Sequence, residues 1–78
     1  MKLDLHGLAI HEAWARFKEW IYDQQRNPDT KSVIVVTGQG EIYKELPRWC
    51  DDMSFVRHID SIASAGAYHI FFYKKRRE

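Results

Sequence analysis

The chain has 78 residues, 45% of them hydrophobic, and a formal net charge of +1 at pH 7, which indicates one small folded domain and excludes a disordered chain. Its single cysteine, Cys50, excludes an internal disulfide and disfavours a structural zinc site. There is no apolar run near the roughly 20 residues of a membrane span and no signal-peptide pattern, so we expect a soluble, cytoplasmic monomer with no membrane partner.

The first predicted element is a short strand over 2–5, which overlaps a Leu-Asp-Leu-His-Gly motif at 3–7. The alternation predicts that the two leucines face a core, while Asp4 and His6 share the opposite side of the strand. A carboxylate can orient an imidazole, and an imidazole can act as a general base or acid near neutral pH. We therefore predict that Asp4 and His6 are catalytic.

Other roles are open for this pair of residues. Asp4 could accept N–H hydrogen bonds from a neighbouring loop and hold two strand ends together, because an unpaired buried carboxylate is costly. His6 could be a surface histidine or one whose hydrogen bonds are satisfied in the core. A divalent metal could also bind here, but the sequence offers no further ligands, so we predict no metal residues and leave the cofactor unknown.

A first helix is predicted from Ile10, because apolar residues recur there at i, i+3, i+4, i+7 and i+11. The Asn-Pro-Asp run at 27–29 predicts its end and a turn. Ala9 stands where Ser or Thr would be expected as N-cap. The next strand is predicted over 33–36, where four β-branched residues suit a strand buried on both faces or placed centrally in a parallel sheet.

A glycine-containing loop, Thr-Gly-Gln-Gly at 37–40, follows this strand. Glycines let a phosphate approach backbone N–H groups at the start of a helix, although a plain tight turn would need the same glycines. Thr and Gln side chains could also donate hydrogen bonds to a phosphate or a base edge. We predict phosphate or nucleic-acid contacts for Gly7, Thr37, Gly38, Gln39 and Gly40.

A second helix is predicted after the loop from apolar residues at helical spacing, namely Ile42, Leu46, Trp49 and Cys50. Pro47 predicts either a kink or a helix that restarts with Pro47 in its first turn. Two aspartates at 51–52 predict the end of the helix. Lys44 and Arg48 lie one turn apart, so we predict that they bind the nucleic-acid backbone; the alternative is that they only solvate that side of the helix.

Two strands, over 55–62 and 67–73, are joined by four residues and predict an antiparallel hairpin. With the turn centred near 63–64, His58 would lie opposite His69. One face would be apolar, with Phe55, Ile59, Tyr68, Ile70 and Phe72. The other would carry rings that could stack on bases or pack on a partner, with His58, Asp60, His69, Phe71 and Tyr73.

The charge is unevenly distributed along the chain. Residues 1–73 contain eight Lys or Arg and ten Asp or Glu, whereas 74–78 carry a charge of +3. A basic terminus can bind a phosphate backbone, or it can be a solvated chain end. We predict nucleic-acid contacts for Lys74, Lys75, Arg76 and Arg77.

The predicted order is β-α-β-α-β-β, in which two strand–helix–strand units would place both polar motifs at one edge of the sheet. Ligands bind beyond the carboxyl ends of parallel strands in open α/β sheets. Right-handed crossovers would place both helices on one side of the sheet. A proton-transfer pair beside an anion-binding loop predicts chemistry on phosphate.

The two motifs together resemble those of the Smr (small MutS-related) domain family. The family's first motif is matched in full at 3–7, and its second is matched at 37–40 in the Thr-Gly-x-Gly form. A looser third feature, a Gly-Ala loop before a final apolar strand, is similar to 66–72. Thr37 stands where many active members have His, which removes a second acid or base, and Gly66 is alone in its loop.

This resemblance implies an α/β two-layer sandwich akin to the C-terminal domain of bacterial translation initiation factor three. The mixed sheet would have strand order 1-2-4-3 with the last strand antiparallel, residues 1–73 forming a stand-alone domain and 74–78 a basic tail. The resemblance also implies endonuclease or nickase activity on DNA or RNA. The alternatives are a non-catalytic module that binds nucleic acid or a ribosome, and a protein-interaction module that uses the aromatic sheet face.

Overall fold

Four strands and two helices follow one another in the order β-α-β-α-β-β in the computed structural model, which describes residues 1–74. This order confirms the prediction from the sequence. The elements are β1 (Lys2–Asp4), α1 (Ile10–Arg26), β2 (Ser32–Val36), α2 (Glu41–Asp51), β3 (Val56–Ile62), a 3-10 turn (Ala63–Ala65) and β4 (Ala67–Phe72).

The strands form one mixed sheet in the order β1-β2-β4-β3. β1 pairs with β2 in parallel, and β4 runs antiparallel to both of its neighbours. The α/β two-layer sandwich is therefore confirmed, with both helices on one face of the sheet. We call the other face, which no helix covers, the open face.

The core lies between the helices and the sheet. Along β2, Val33 and Val35 are buried while their neighbours are half-buried, as expected for a strand with one covered face. Phe17 of α1 is fully buried, and its ring lies 5.8 Å from that of Trp49. Within residues 1–74, neither helix is long and apolar enough to cross a membrane.

The first helix begins without a side-chain N-cap, as the sequence predicted. Ala9 is the N-cap residue, and its N–H donates to the Glu12 carboxylate at 3.4 Å. At the other end, the Asn27 side chain accepts the Asp29 N–H at 2.9 Å and forms the predicted turn.

The second helix runs through Pro47 without ending, so the predicted restart at this residue is not observed. Proline has no N–H, which leaves the carbonyl of Tyr43 without its helical donor. The hydroxyl of Tyr68 in β4 donates to that carbonyl at 3.0 Å. The ring of Tyr68 also stacks on that of Tyr43, with centroids 4.8 Å apart. A sheet side chain thus satisfies the backbone acceptor that Pro47 leaves unpaired.

The prediction that His58 lies opposite His69 is wrong. His58 pairs with Phe71, and Asp60 pairs with His69. The register differs because the turn occupies 63–65 and ends at Gly66, whose left-handed conformation (φ 58°, ψ 49°) makes Ile62 and Ala67 the closing pair. The difference is two residues, so each side chain stays on the predicted face.

We expect Tyr68→Phe to lower the free energy of unfolding by about 1–3 kcal/mol, because the Tyr43 carbonyl loses its donor. In a Pro47→Ala background, the N–H of the new alanine can donate to that carbonyl. Tyr68→Phe should therefore lower the free energy of unfolding by less in this background. Urea denaturation of the two single variants and the double variant measures this coupling. Tyr22→Phe, at an exposed tyrosine, is the control. An equal loss in both backgrounds would contradict this account of the Tyr68 hydroxyl.

Candidate active site

Asp4 and His6 lie together at the end of β1, on the open face. The Leu5 N–H donates to the Val36 carbonyl at 2.7 Å, so the pairing of β1 with β2 extends to the residue between them. His6 Nδ1 is 2.6 Å from Asp4 Oδ1, and the His6 backbone N–H donates to the same oxygen at 3.0 Å. Both side chains are more than half exposed.

The hydrogen bond from the His6 side chain lowers the pKa of Asp4, and the bond from the His6 backbone N–H lowers it further. Asp4 is therefore ionised at neutral pH and holds a proton on Nδ1 of the imidazole. The other nitrogen, Nε2, is the one that Asp4 does not engage. An imidazole with one nitrogen oriented by a carboxylate is suited to move a proton at the other.

The chain turns sharply after this pair. Gly7 has φ +83°, a conformation that side chains rarely adopt, and the Leu8 N–H donates to the Leu5 carbonyl at 3.3 Å. The turn separates the exposed pair from α1, which begins three residues later. A glycine at this position therefore lets His6 sit at the very edge of the sheet.

The second motif is held by the turn between β3 and β4. The Gly66 carbonyl accepts the N–H groups of Thr37 (2.7 Å) and Gly38 (2.9 Å). The Thr37 hydroxyl points at two acceptors, the Gly66 carbonyl at 3.0 Å and the Gly38 carbonyl at 2.9 Å. The Gln39 amide donates to the Ala63 carbonyl at 2.5 Å. The loop is thus tied to the hairpin turn rather than to Asp4.

These contacts use donors that the sequence analysis expected to be free for a phosphate. Thr37 is 3% exposed, and both its hydroxyl and its N–H point at Gly66. Beyond Gln39, the N–H groups of the first turn of α2 follow, with Gly40 as the N-cap. The first N–H groups of a helix have no intrahelical acceptor, and the helix dipole favours an anion there. Glu41, in the same turn, places a carboxylate nearby.

The two motifs meet at Gly38. A Cβ at this glycine would lie 3.4 Å from the Cβ of His6, and the glycine has φ +77°. The imidazole and the glycine loop are therefore in direct proximity, along the edge where the sequence placed both. This edge holds Asp4, His6, Gly38 and the start of α2.

The predicted cationic residues are not all at this edge. Lys44 is exposed in the first turn of α2, near the loop. Arg48 lies one turn further along, and its Nη1 is 3.4 Å from a carboxylate oxygen of Glu45. Lys74 lies beyond the far end of β4, roughly 20 Å from the edge by the rise of a strand. Lys75, Arg76 and Arg77 lie outside the described residues.

Sequence reasoning identified both motifs but missed the role of Gly66. Its Cβ would lie 2.8 Å from the carbonyl carbon of Gly38, so the two backbones are in contact. The available signal was an isolated glycine between two strands, which often marks a close backbone approach. Within residues 1–74, no three His, Cys, Asp or Glu side chains are grouped so as to hold a metal ion. A metal ion at this edge would have two protein ligands, Asp4 and His6.

Comparison with protein families identifies the domain. The model of the Smr domain family matches residues 3–69, so the chain belongs to the Smr domain family. This is a family connected with nucleic-acid binding and with nucleases. No curated protein and no solved structure matches the chain.

We expect His6→Ala to raise the pKa of Asp4 towards its ordinary value of 3.8, because the strongest hydrogen bond to the carboxylate is lost. The rise should be incomplete, because the backbone N–H of residue 6 still donates. A carboxyl-carbon NMR titration of Asp4 measures it, with His11→Ala as the control. The pair stabilises the fold above the ordinary pKa of Asp4, and this contribution is lost as the pH falls through the lowered native value. An unchanged titration of Asp4 would contradict this role of His6.

Proposed function

We propose that this Smr domain is a nucleic-acid-binding endonuclease or nickase that cleaves phosphodiester bonds in DNA or RNA. The observation that carries the proposal is the 2.6 Å hydrogen bond between Asp4 and His6, which engages Nδ1 and leaves Nε2 to move a proton, on a residue whose Cβ lies next to Gly38. A general base at the carboxyl edge of an α/β sheet, next to a helix N-terminus, can activate an oxygen nucleophile that attacks a bound phosphate.

In the proposed mechanism, His6 Nε2 removes a proton from the attacking oxygen, which is a water or, in RNA, a 2′-hydroxyl. That oxygen bonds to phosphorus as the bond to the leaving oxygen breaks. Asp4 keeps the imidazole oriented and stabilises the imidazolium that forms. The N–H groups at the start of α2 stabilise the negative charge that develops on the phosphate.

The leaving oxygen must also receive a proton. The Thr37 hydroxyl is buried and engaged with Gly66, so it is not a suitable donor. In our proposal the proton comes from the His6 imidazolium or from water. A divalent metal, if the reaction uses one, would be held by Asp4 and by His6 Nε2 and would polarise the phosphate; His6 would then be a ligand instead of the base.

The loop at 37–40 favours a second candidate function, which is binding without cleavage. Because Thr37 offers no acid or base at the loop, the domain could bind nucleic acid or a ribosomal surface without turnover. This non-catalytic module would use the same edge and the same cations. Cleavage assays separate the two functions, since both predict binding.

We expect His6→Ala to reduce cleavage by roughly 10²–10⁴-fold, the usual contribution of a general base. Asp4→Asn should also reduce it, because the imidazolium loses its carboxylate. Nicking of supercoiled plasmid and cleavage of labelled RNA, each with and without Mg²⁺, measure the effect. His11→Ala is the matched control, and circular dichroism checks folding. Equal activity in wild type and both site variants would exclude the proposed mechanism, and binding without cleavage by wild type would favour the non-catalytic module.

We expect binding to weaken steeply with salt, because phosphate contacts release counterions. Lys44→Gln should reduce the slope of log K against log salt by about 0.7–0.9, the contribution of one phosphate contact. Lys18→Gln, the same change on α1, should leave the slope as in wild type. Fluorescence anisotropy of a labelled oligonucleotide from 50 to 200 mM salt gives these slopes. An affinity independent of salt would contradict the phosphate contacts.

A further inference from the structure

The open face carries three rings in contact, which we call the ring stack: His58, Phe71 and His69. The Phe71 and His69 rings stack with centroids 4.2 Å apart, and the His58 ring lies 5.6 Å from that of Phe71. His58 is exposed, and the other two are half-buried. The mechanism proposed above does not use these residues.

A β-bulge adds a cation to the ring stack. Val56 pairs with Phe72, but the next pair is His58 with Phe71, so Arg57 is the extra residue on β3. Its Cζ lies 5.8 Å from the centre of the Phe71 ring. Bulges of this kind redirect a side chain and are frequent beside binding sites. Here the bulge brings a guanidinium to the same ring that His58 contacts.

A groove of about 1220 Å³ opens beside the ring stack. Lys31, Arg57, Phe71, Tyr73 and Lys74 are among the residues that line it. The lining holds three cations and one carboxylate, that of Asp29. On the neighbouring sheet surface, Asp60 is held by His58 Nε2 at 2.7 Å. The groove therefore combines aromatic rings with an excess of positive charge.

We propose that the open face binds a single-stranded segment of nucleic acid. Bases stack on the ring stack and on Tyr73, and phosphates contact Lys31, Arg57 and Lys74. This combination of rings and cations is typical of single-strand sites, because a duplex keeps the faces of its bases covered.

The segment would lead from the groove to the catalytic pair. Asp4 and Phe71 lie on the same open face, with Asp4 aligned with Val36 and Ala67 across the sheet. Phe71 is four residues along β4 from Ala67 and two strands away from β1, a separation of roughly 15 Å. This assignment rests on the proposed function and specifies its substrate as single-stranded near the cleaved bond.

The test is the affinity of the whole chain for labelled single-stranded 12-mers of DNA and RNA, and for a duplex of the same sequence, by fluorescence anisotropy. We expect Phe71→Leu to weaken single-strand binding by about 5- to 150-fold and duplex binding by much less. His58→Ala, at an exposed residue, should weaken it by about fivefold without risk to the fold. Tyr22→Leu, at an exposed tyrosine on α1, is the matched control and should bind as wild type does.

The outcomes separate this proposal from the catalytic one. Single-strand affinity unchanged in both Phe71→Leu and His58→Ala overturns the open-face site, even where wild type cleaves its substrate. Absence of single-strand binding by wild type also overturns it and points to a protein partner for this face. Affinity that depends on Phe71 in a protein that does not cleave supports the open-face site and contradicts the proposed catalysis.

Discussion

The arrangement of the candidate site depends on the contact between the Gly66 and Gly38 backbones. The Gly66 carbonyl faces two N–H groups and one hydroxyl from residues 37–38. Because a Cβ at Gly66 would lie within 2.8–3.0 Å of the Gly38 backbone, the contact excludes any larger residue at its present distance. On its other side, Gly38 lies against His6, which is held by Asp4. One backbone contact therefore joins the hairpin turn, the loop and the imidazole.

The two faces of the sheet differ in what covers them and in the side chains that they carry. The covered face forms the core with both helices, and there even the carbonyl left unpaired by Pro47 is satisfied by Tyr68. The open face carries polar and aromatic side chains at both ends, with the Asp4–His6 pair at one end and the ring stack at the other. A single layer of helices is enough to bury the core of a small domain, which leaves the other face of the sheet accessible.

The positively charged side chains are also divided between the two ends of the sheet. Lys44 lies near the glycine loop, whereas Lys31, Arg57 and Lys74 line the groove at the opposite end of the sheet. The sequence predicted nucleic-acid contacts for the basic run at 74–77. Its first residue, Lys74, extends from the end of β4 that lies far from Asp4, because β4 runs antiparallel to β2 and leads away from the catalytic edge.

Much of this protein could be read from local patterns. Helical periodicity from Ile10, the β-branched run of β2 and the alternation around Asp4 depend only on nearby residues, so they predicted these elements, their order and the shared face of Asp4 and His6. The two motifs also indicated the family. The hairpin register, the engagement of Thr37 with Gly66 and the bulge at Arg57 were decided only by the tertiary structure. The engagement of Thr37 with Gly66 joins residues 29 positions apart in the chain, which no local pattern reveals. The register and the bulge depend on the conformation of the turn at Gly66 and on how β3 and β4 fit each other, which the alternation of side chains does not specify.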